Sequence, residues 1–249
     1  MRAYTISPIR VVYTSILIAA LAAGGCGRVA AAAKASDSPA IIPLVDTSVA
    51  HRDDNLLSYT VSEHYRVYRG ADHEHPAAEM VVKTLYRKDS GKTFTIVSQS
   101  GSHLLLTEVL GHVLDSETLM TQPVNRSRVV LTSLNYELTV LGSEKVNSVD
   151  CMRISIVPKT SSPYLFRGTI WVNATNGDIV KLEGVTAKSA SVLTGATQVS
   201  RVYGEIDGIP MATHATADAK SWLLGSTTID IDYTGYQMTL RPTTTIPGN

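Results

Sequence analysis

The sequence predicts a mainly β chain of the α+β class, an antiparallel sheet with few helices. Three observations carry this. Apolar and polar residues alternate with period two through most of the chain after Leu56. The alternating runs follow one another across short turn signals at Gly91, Asn176-Gly177, Asp207-Gly208 and Gly225, as in a meander with one dry and one wet face. One segment alone, SHLLLTEVLGHVLDSETLM, switches to a helical period.

The N-terminus reads as an export signal, residues 1–35. Arg2 and Arg10 flank a polar start, and Val11 to Gly27 is apolar and rich in small residues. Tyr13, Thr14 and Ser15 interrupt that run, which argues against a permanent span needing ~20 apolar residues. Two cleavage routes compete: after Ala33-Lys34-Ala35, or before Cys26 in Leu21-Ala22-Ala23-Gly24-Gly25-Cys26, which is similar to a bacterial lipoprotein signal and would make Cys26 a lipidation site. The chain from Cys26 to about Asp46 is rich in Ala, Ser and Pro with little periodicity, so beyond the signal residues 36–46 read as a linker. Residues 47–240 make the folded domain, and 241–249 a loose tail. A weaker helix is expected around Ser48 to Leu57.

The strand runs are Tyr59 to Val67, Met80 to Tyr86, Phe94 to Ser98, Tyr136 to Val140, Met152 to Ile156, Val199 to Ile206 and Thr228 to Tyr233. In the helical segment Leu106, Val109, Leu110, Val113 and Leu114 form an apolar stripe, Ser102 stands at the N-cap position, and Gln122-Pro123 stops the run. GTIWVNATNGDIVKLEG, from Gly168 to Gly184, is a hairpin. A three-residue loop, Thr175 to Gly177 with Gly177 left-handed, sets Val172 against Val180 and Ile170 against Leu182; a two-residue turn would flip every side chain. The apolar match selects the first register. Trp171 then lies on the other face beside Lys181, where it can stack on the ammonium. One amphipathic stripe is narrow beside so many strands. Either the sheet closes as a barrel, or part of its apolar face stays open as a cavity.

Chemistry is sparse. Lys and Arg number 22 against 22 Asp and Glu, so no basic excess offers a footprint for nucleic acid. His73-Glu74-His75 lacks a third ligand nearby and reads as a solvated loop, so no metal site is expected there. Asp230 and Asp232 share a wet face without a cleft to shift either pKa. Cys151 lies in a strand pattern as a small packed side chain. No nucleophile elbow, phosphate loop or dinucleotide fingerprint occurs, so no catalytic residue and no cofactor is assigned.

Asn135 to Leu138, Gly142 to Glu144, Cys151 to Ile154 with Pro158-Lys159, Gly168 to Asn173 and Ile179 to Gly184 resemble the outer-membrane lipoprotein-sorting family, the LolA-like carriers, over roughly Leu56 to Tyr236. The most telling stretch is Gly-x-Ile-Trp-Val-Asn, where members often have Asp at the position of Asn173. The resemblance implies an unclosed antiparallel β-barrel with the amphipathic helix on its concave face and a hydrophobic cavity for acyl chains. Its lining in this chain would be Leu106, Leu110, Val113 and Leu114 from the helix, Ile154, Ile156, Ile170, Val172, Val180 and Leu182 from the middle strands, and Ile229 and Ile231 from the last. The implied function is non-catalytic transfer of lipid or lipoprotein acyl chains in the periplasm; a lipidated Cys26, a departure from the soluble carrier of the group, would add contact to the outer membrane. The alternative is a membrane-anchored sensor or interaction protein of the same fold. Both readings need room beside Leu110 for a guest hydrocarbon.

Overall fold

The computed structural model describes residues 38–189, 195–221 and 225–242. The signal segment, Cys26 and all of the tail after residue 242 lie outside them. Helix α1 (Ser38–Asn55) opens the fold, followed by β1 (Leu56–Arg69), β2 (Ala78–Arg87) and β3 (Gly91–Gly101). A continuous helical run comes next: α2 (His103–Leu105), a π-helical stretch (Leu106–Gly111) and α3 (His112–Thr121), then the short α4 (Pro123–Arg126). Strands β4 (Tyr136–Val146), β5 (Val149–Pro158), β6 (Phe166–Asn173), β7 (Ile179–Thr186), β8 (Gln198–Ile206), β9 (Ile209–Ser221) and β10 (Gly225–Leu240) complete the chain.

All ten strands form one antiparallel sheet in the order β3-β2-β1-β10-β9-β8-β7-β6-β5-β4. The sheet is unclosed, with β3 and β4 as its edges. The helical run joins one edge to the other, and its apolar side meets the dry face. β1 shows the underlying alternation: Tyr59, Val61, Glu63, Tyr65 and Val67 are buried, while Thr60, Ser62, His64 and Arg66 are half-exposed.

The hairpin takes the expected register through its body, Ile170 opposite Leu182 and Trp171 opposite Lys181. At the turn it slips by one. A bulge leaves Val180 unpaired and sets Val172 against Ile179. The Asn173 N–H donates to Asp178 O and the Gly177 N–H to Asn173 O, so the loop holds Ala174 to Gly177 rather than three residues. Gly177 is left-handed as expected, at φ 78°. Trp171 stacks under Lys181, whose Nζ is 4.9 Å from the ring, and donates from Nε1 to Glu144 at 2.9 Å.

Helix α1 corrects the sequence reading. Residues expected to be a linker, from Ser38 to Asp46, are helical, and the weak helix expected around Ser48 to Leu57 is the second half of the same element. Its buried side chains Ile41, Val45 and Ser48 fall at helical spacing and lie against the middle of the sheet. Pro43 inside the helix, together with neighbouring alanine and serine, disguised the pattern. A second correction concerns β9, which the reading passed over because Ala and Thr dominate it and give little hydropathic contrast.

The core divides into two clusters. One packs Leu105, Leu106, Leu110 and Leu114 of the helical run on β1, β2, β9 and β10. The other packs Ile41 and Val45 of α1 on Tyr136, Ile154, Ile156, Ile170, Val172 and Leu182. Each helix covers its own half of the dry face.

Gly177 ties the hairpin tip to α1. A Cβ there would stand 2.5 Å from the Leu44 carbonyl carbon, in a backbone conformation that already disfavours side chains. Gly177→Ala should destabilise the fold by about 2 kcal/mol, as steric overlap adds to the left-handed penalty. Equilibrium denaturant unfolding measures this; a loss below about 0.5 kcal/mol would mean that α1 does not press on the hairpin.

Candidate functional site

The residues expected to line a single cavity are divided between the two clusters. Leu106, Leu110, Leu114, Ile229 and Ile231 are buried in the first, with Val113 packed against it; Ile154, Ile156, Ile170, Val172 and Leu182 are buried in the second. Val180, at the bulge, belongs to neither, and Ile179 packs in its place. Leu110 is 0% exposed. A depression of about 470 Å³ is lined by Leu57, Ser58 and Arg87 to Asp89, and another of about 260 Å³ lies between α1 and α4. Neither reaches Leu110, which packs within the first cluster. The helical run explains the close fit. Its π-helical turns stretch the period, so that Leu106, Leu110 and Leu114, four apart, all face the sheet, and Leu105 joins them from the preceding turn. Ser102 holds the N-cap position without a side-chain cap; its carbonyl accepts from the Leu106 N–H at 3.0 Å.

Four charged side chains converge on the dry face. Glu63 occupies an inward position of β1 between Val61 and Tyr65 and is 1% exposed. Lys92 comes from β3, Glu117 from α3 and Arg201 from β8, with side chains 11%, 27% and 33% exposed. Lys92 Nζ lies 2.7 Å from Glu117 Oε2 and 3.8 Å from Glu63 Oε1; Arg201 Nη2 donates to Glu117 Oε1 at 3.4 Å. The Tyr65 hydroxyl donates to Glu63 Oε2. Glu63 Oε1 and Arg201 Nε are buried without a hydrogen-bond partner. Arg201 pairs across the sheet with Leu182 of one cluster and Ala215 of the other, which places it on their seam.

These neighbours set the ionisation. Burial pushes the Glu117 carboxyl up, but the Lys92 ammonium and the Arg201 guanidinium outweigh it and hold the group at about 2. Burial acts against the Lys92 ammonium, and Glu117, Glu63 and the surrounding tyrosines carry it well above its ordinary value. Tyr65 is raised by burial and by the Glu63 charge. The cluster thus sets two acidic side chains against two basic ones, joining a helix to a sheet.

Sequence reasoning missed these residues, although each leaves a signal: a charge in the apolar phase of its element. Glu63 interrupts Tyr59, Val61, Tyr65 and Val67, and Arg201 stands between Val199 and Tyr203. Glu117 continues the stripe of Leu110 and Leu114.

The wet face carries a second polar group. Arg66 pairs with both Asp230 and Asp232, and His214 Nδ1 lies 3.0 Å from Asp232 Oδ1. The solvated pair expected from the sequence is thus an ion-paired network. The Arg66 and His214 hydrogen bonds hold Asp232 below the usual carboxylate range. One ligand atom each from His214, Asp230 and Asp232 fits within 4.8 Å, a geometry that could take a cation if Arg66 withdrew. His73 stacks loosely near Tyr68, and His75 stands 3.4 Å from Asp72, both in the β1–β2 turn. Cys151 is buried, and burial pushes its thiol up, which makes it a packed and unreactive side chain.

No family model and no curated protein matches the chain. Solved structures do. A LolA superfamily protein from Nitrosomonas europaea is similar over 81% of this chain and 93% of its own, at 15% identity and TM-score 0.44. An outer membrane lipoprotein-sorting protein domain from Vibrio parahaemolyticus is similar over 78% and 90%, at 13% identity and TM-score 0.45. A DUF1329 family protein from Desulfovibrio piger covers 81% and 92%, at 12% identity and TM-score 0.42. Two of these neighbours carry the family name that the Gly168 hairpin resembles.

Because Glu117 is held at about 2 against an ordinary 4.5, its stabilisation is fully present above pH 4.5 and is lost as pH falls through 2. That difference amounts to at most roughly 3 kcal/mol. Glu117→Gln should remove this acid-side slope and cost about 2 kcal/mol at neutral pH, partial exposure reducing the full buried-pair figure. Unfolding free energies from pH 2 to 7 test it; equal slopes in both proteins would dismiss the ion pair as a source of stability.

Proposed function

We propose that this chain is an exported, non-catalytic carrier of acyl chains, seen in its closed state, with the helical run of α2, the π-helical stretch and α3 as the element that gives way. The observation that carries this reading is how the dry face is covered. Between the two edges of the unclosed sheet it meets helices, which hold it through side chains rather than a strand ladder. Apart from the ion pairs, few polar contacts fasten the run to the sheet, among them the Lys92 N–H to Thr121 Oγ1 at 2.9 Å. Lifting the helix would uncover a continuous apolar surface on β1, β2, β9 and β10 for an acyl chain to take over. Leu106, Leu110, Val113, Leu114, Ile229 and Ile231 would then line the opened groove. Lipidation at Cys26 would hold such a carrier at the outer membrane, and cleavage after Ala35 would leave it free in the periplasm. No described helix is long and apolar enough to cross a membrane.

Energetics set a minimum ligand. Exposing Leu105, Leu106, Leu110 and Leu114 costs ~2 kcal/mol each, ~8 in all, and each methylene shielded from water returns ~0.8. An acyl chain must therefore exceed roughly ten carbons to open the site. Binding to the full mature chain should be negligible for octanoyl and strong for palmitoyl ligands, measured by native mass spectrometry or fluorescence displacement. With palmitoyl ligand bound, amide hydrogen exchange across residues 103–121 should rise at least tenfold. Binding with unchanged exchange would remove the helix as the gate, and no binding at any chain length would remove the carrier.

A second reading, an interaction protein of the same fold, draws on Ile96 and Val97, 51% and 66% exposed on the β3 edge. It requires a partner at that edge and no acyl uptake, so the same binding series separates the two.

A further inference from the structure

We propose that the acyl ligand carries an anionic head, and that Lys92 and Arg201 receive it in exchange for Glu117. This deepens the carrier reading and rests on it. The inference begins with the position of the quartet. Glu117 is the one member on the helical run; Glu63, Lys92 and Arg201 belong to the sheet. When the helix lifts, Glu117 leaves with it, and two cations remain beside a single acid on an apolar face. Such an imbalance is unfavourable in water-poor surroundings until an anion restores it. The sheet is already prepared for one. Arg201 Nε is buried without a hydrogen-bond partner, so a guanidinium edge has unused donor capacity, and a guanidinium fork suits the paired oxygens of a carboxylate or phosphate. Glu63 keeps its place through the Tyr65 hydroxyl and leaves Lys92 anchored on its other side, 3.8 Å away. Tyr203 and Tyr233 also act on Arg201, Tyr203 through a side-chain hydrogen bond, and burial pushes the Tyr233 phenol well above its ordinary value.

The geometry also fixes where the chain of such a ligand would run. Arg201 lies on the seam between the clusters, opposite Leu182 and Ala215, so a head held there starts its hydrocarbon on the dry face itself. A neutral head would leave the two cations unbalanced, and a cationic one would worsen the imbalance. Exchange of one anion for another explains why charges stand in the middle of an apolar surface.

The experiment uses the full mature chain and a set of ligands sharing one hydrocarbon: palmitate, hexadecyl phosphate, hexadecanol and hexadecyltrimethylammonium, with inorganic phosphate as a chain-free anion. Palmitate and hexadecyl phosphate should bind at least tenfold more tightly than hexadecanol. Arg201→Gln should abolish that preference while hexadecanol binding persists, and Glu117→Gln should increase it, since the competing internal anion is gone. Opposite effects of two variants in one cluster distinguish a binding role from general loss of structure, and thermal unfolding of both checks that each is folded. Equal affinity for palmitate and hexadecanol overturns the head site but leaves the carrier reading standing. Inorganic phosphate displacing palmitate at similar concentration overturns it in favour of a simple anion site. Binding of none of the chain-bearing ligands overturns both readings together.

Discussion

An antiparallel sheet of ten strands that does not close leaves a dry face larger than any one helix can cover, and that surplus governs the rest of the molecule. Apolar surface left in water costs on the order of 25 cal/mol per Å², so something must lie over it. The chain answers with two helices taken from either side of β1, β2 and β3. Helix α1 covers the half formed by the middle strands, and the run from His103 to Thr121 covers the half around β1 and β10. Because each helix serves its own cluster, the proposed opening of one half would leave the other packed. A single core spanning the face would have bound both helices into one unit, and displacement of either would have exposed everything.

Much of this was legible, because the strongest signals come from periods that burial enforces. The clean alternation of Ile229, Ile231 and Tyr233 with Asp230 and Asp232 fixed the last strand, and the Asn176-Gly177 turn fixed the hairpin body. The slip at Val180 was out of reach. A bulge changes the pairing without changing the local hydropathy, and Ile179 and Val180 are equally apolar. β9 was missed for a related reason: Ala215 and Ala217 bury too little to stand out from Thr213 and Thr216. The first half of helix α1 reads as a linker because an internal proline is normally a stop signal, yet Ile41 and Val45 carry its packing regardless. With α1 extended to Ser38, each half of the dry face carries its own packed cluster.

The site was legible in principle and overlooked in practice. Period analysis asks which residues fit the apolar phase, and the charged cluster is built from those that break it. Glu63, Glu117 and Arg201 all stand at inward positions, and the register brings them together across elements far apart in sequence. Asp230 and Asp232, noticed because they are close in sequence, proved to be partners of Arg66 on the wet face.

Stability gives no adequate reason for a buried quartet. Two ion pairs taken out of water recover little beyond their desolvation cost, and well-packed apolar residues of similar volume often serve as well or better. Such a sheet could have been sealed with four more leucines. What a leucine cannot do is specify one docked position of a helix and let that position be surrendered to a competing charge. Dispersion contacts under Leu110 are indifferent to small rotations of the helix, whereas Glu117 must meet Lys92 and Arg201 together or lose both. The apolar contacts therefore set how firmly the helix is held, and the charges set where it rests and, in the proposed carrier, what chemistry would displace it. A closed state of this kind is stable without being permanent, which is the property a cover over an otherwise continuous apolar face requires.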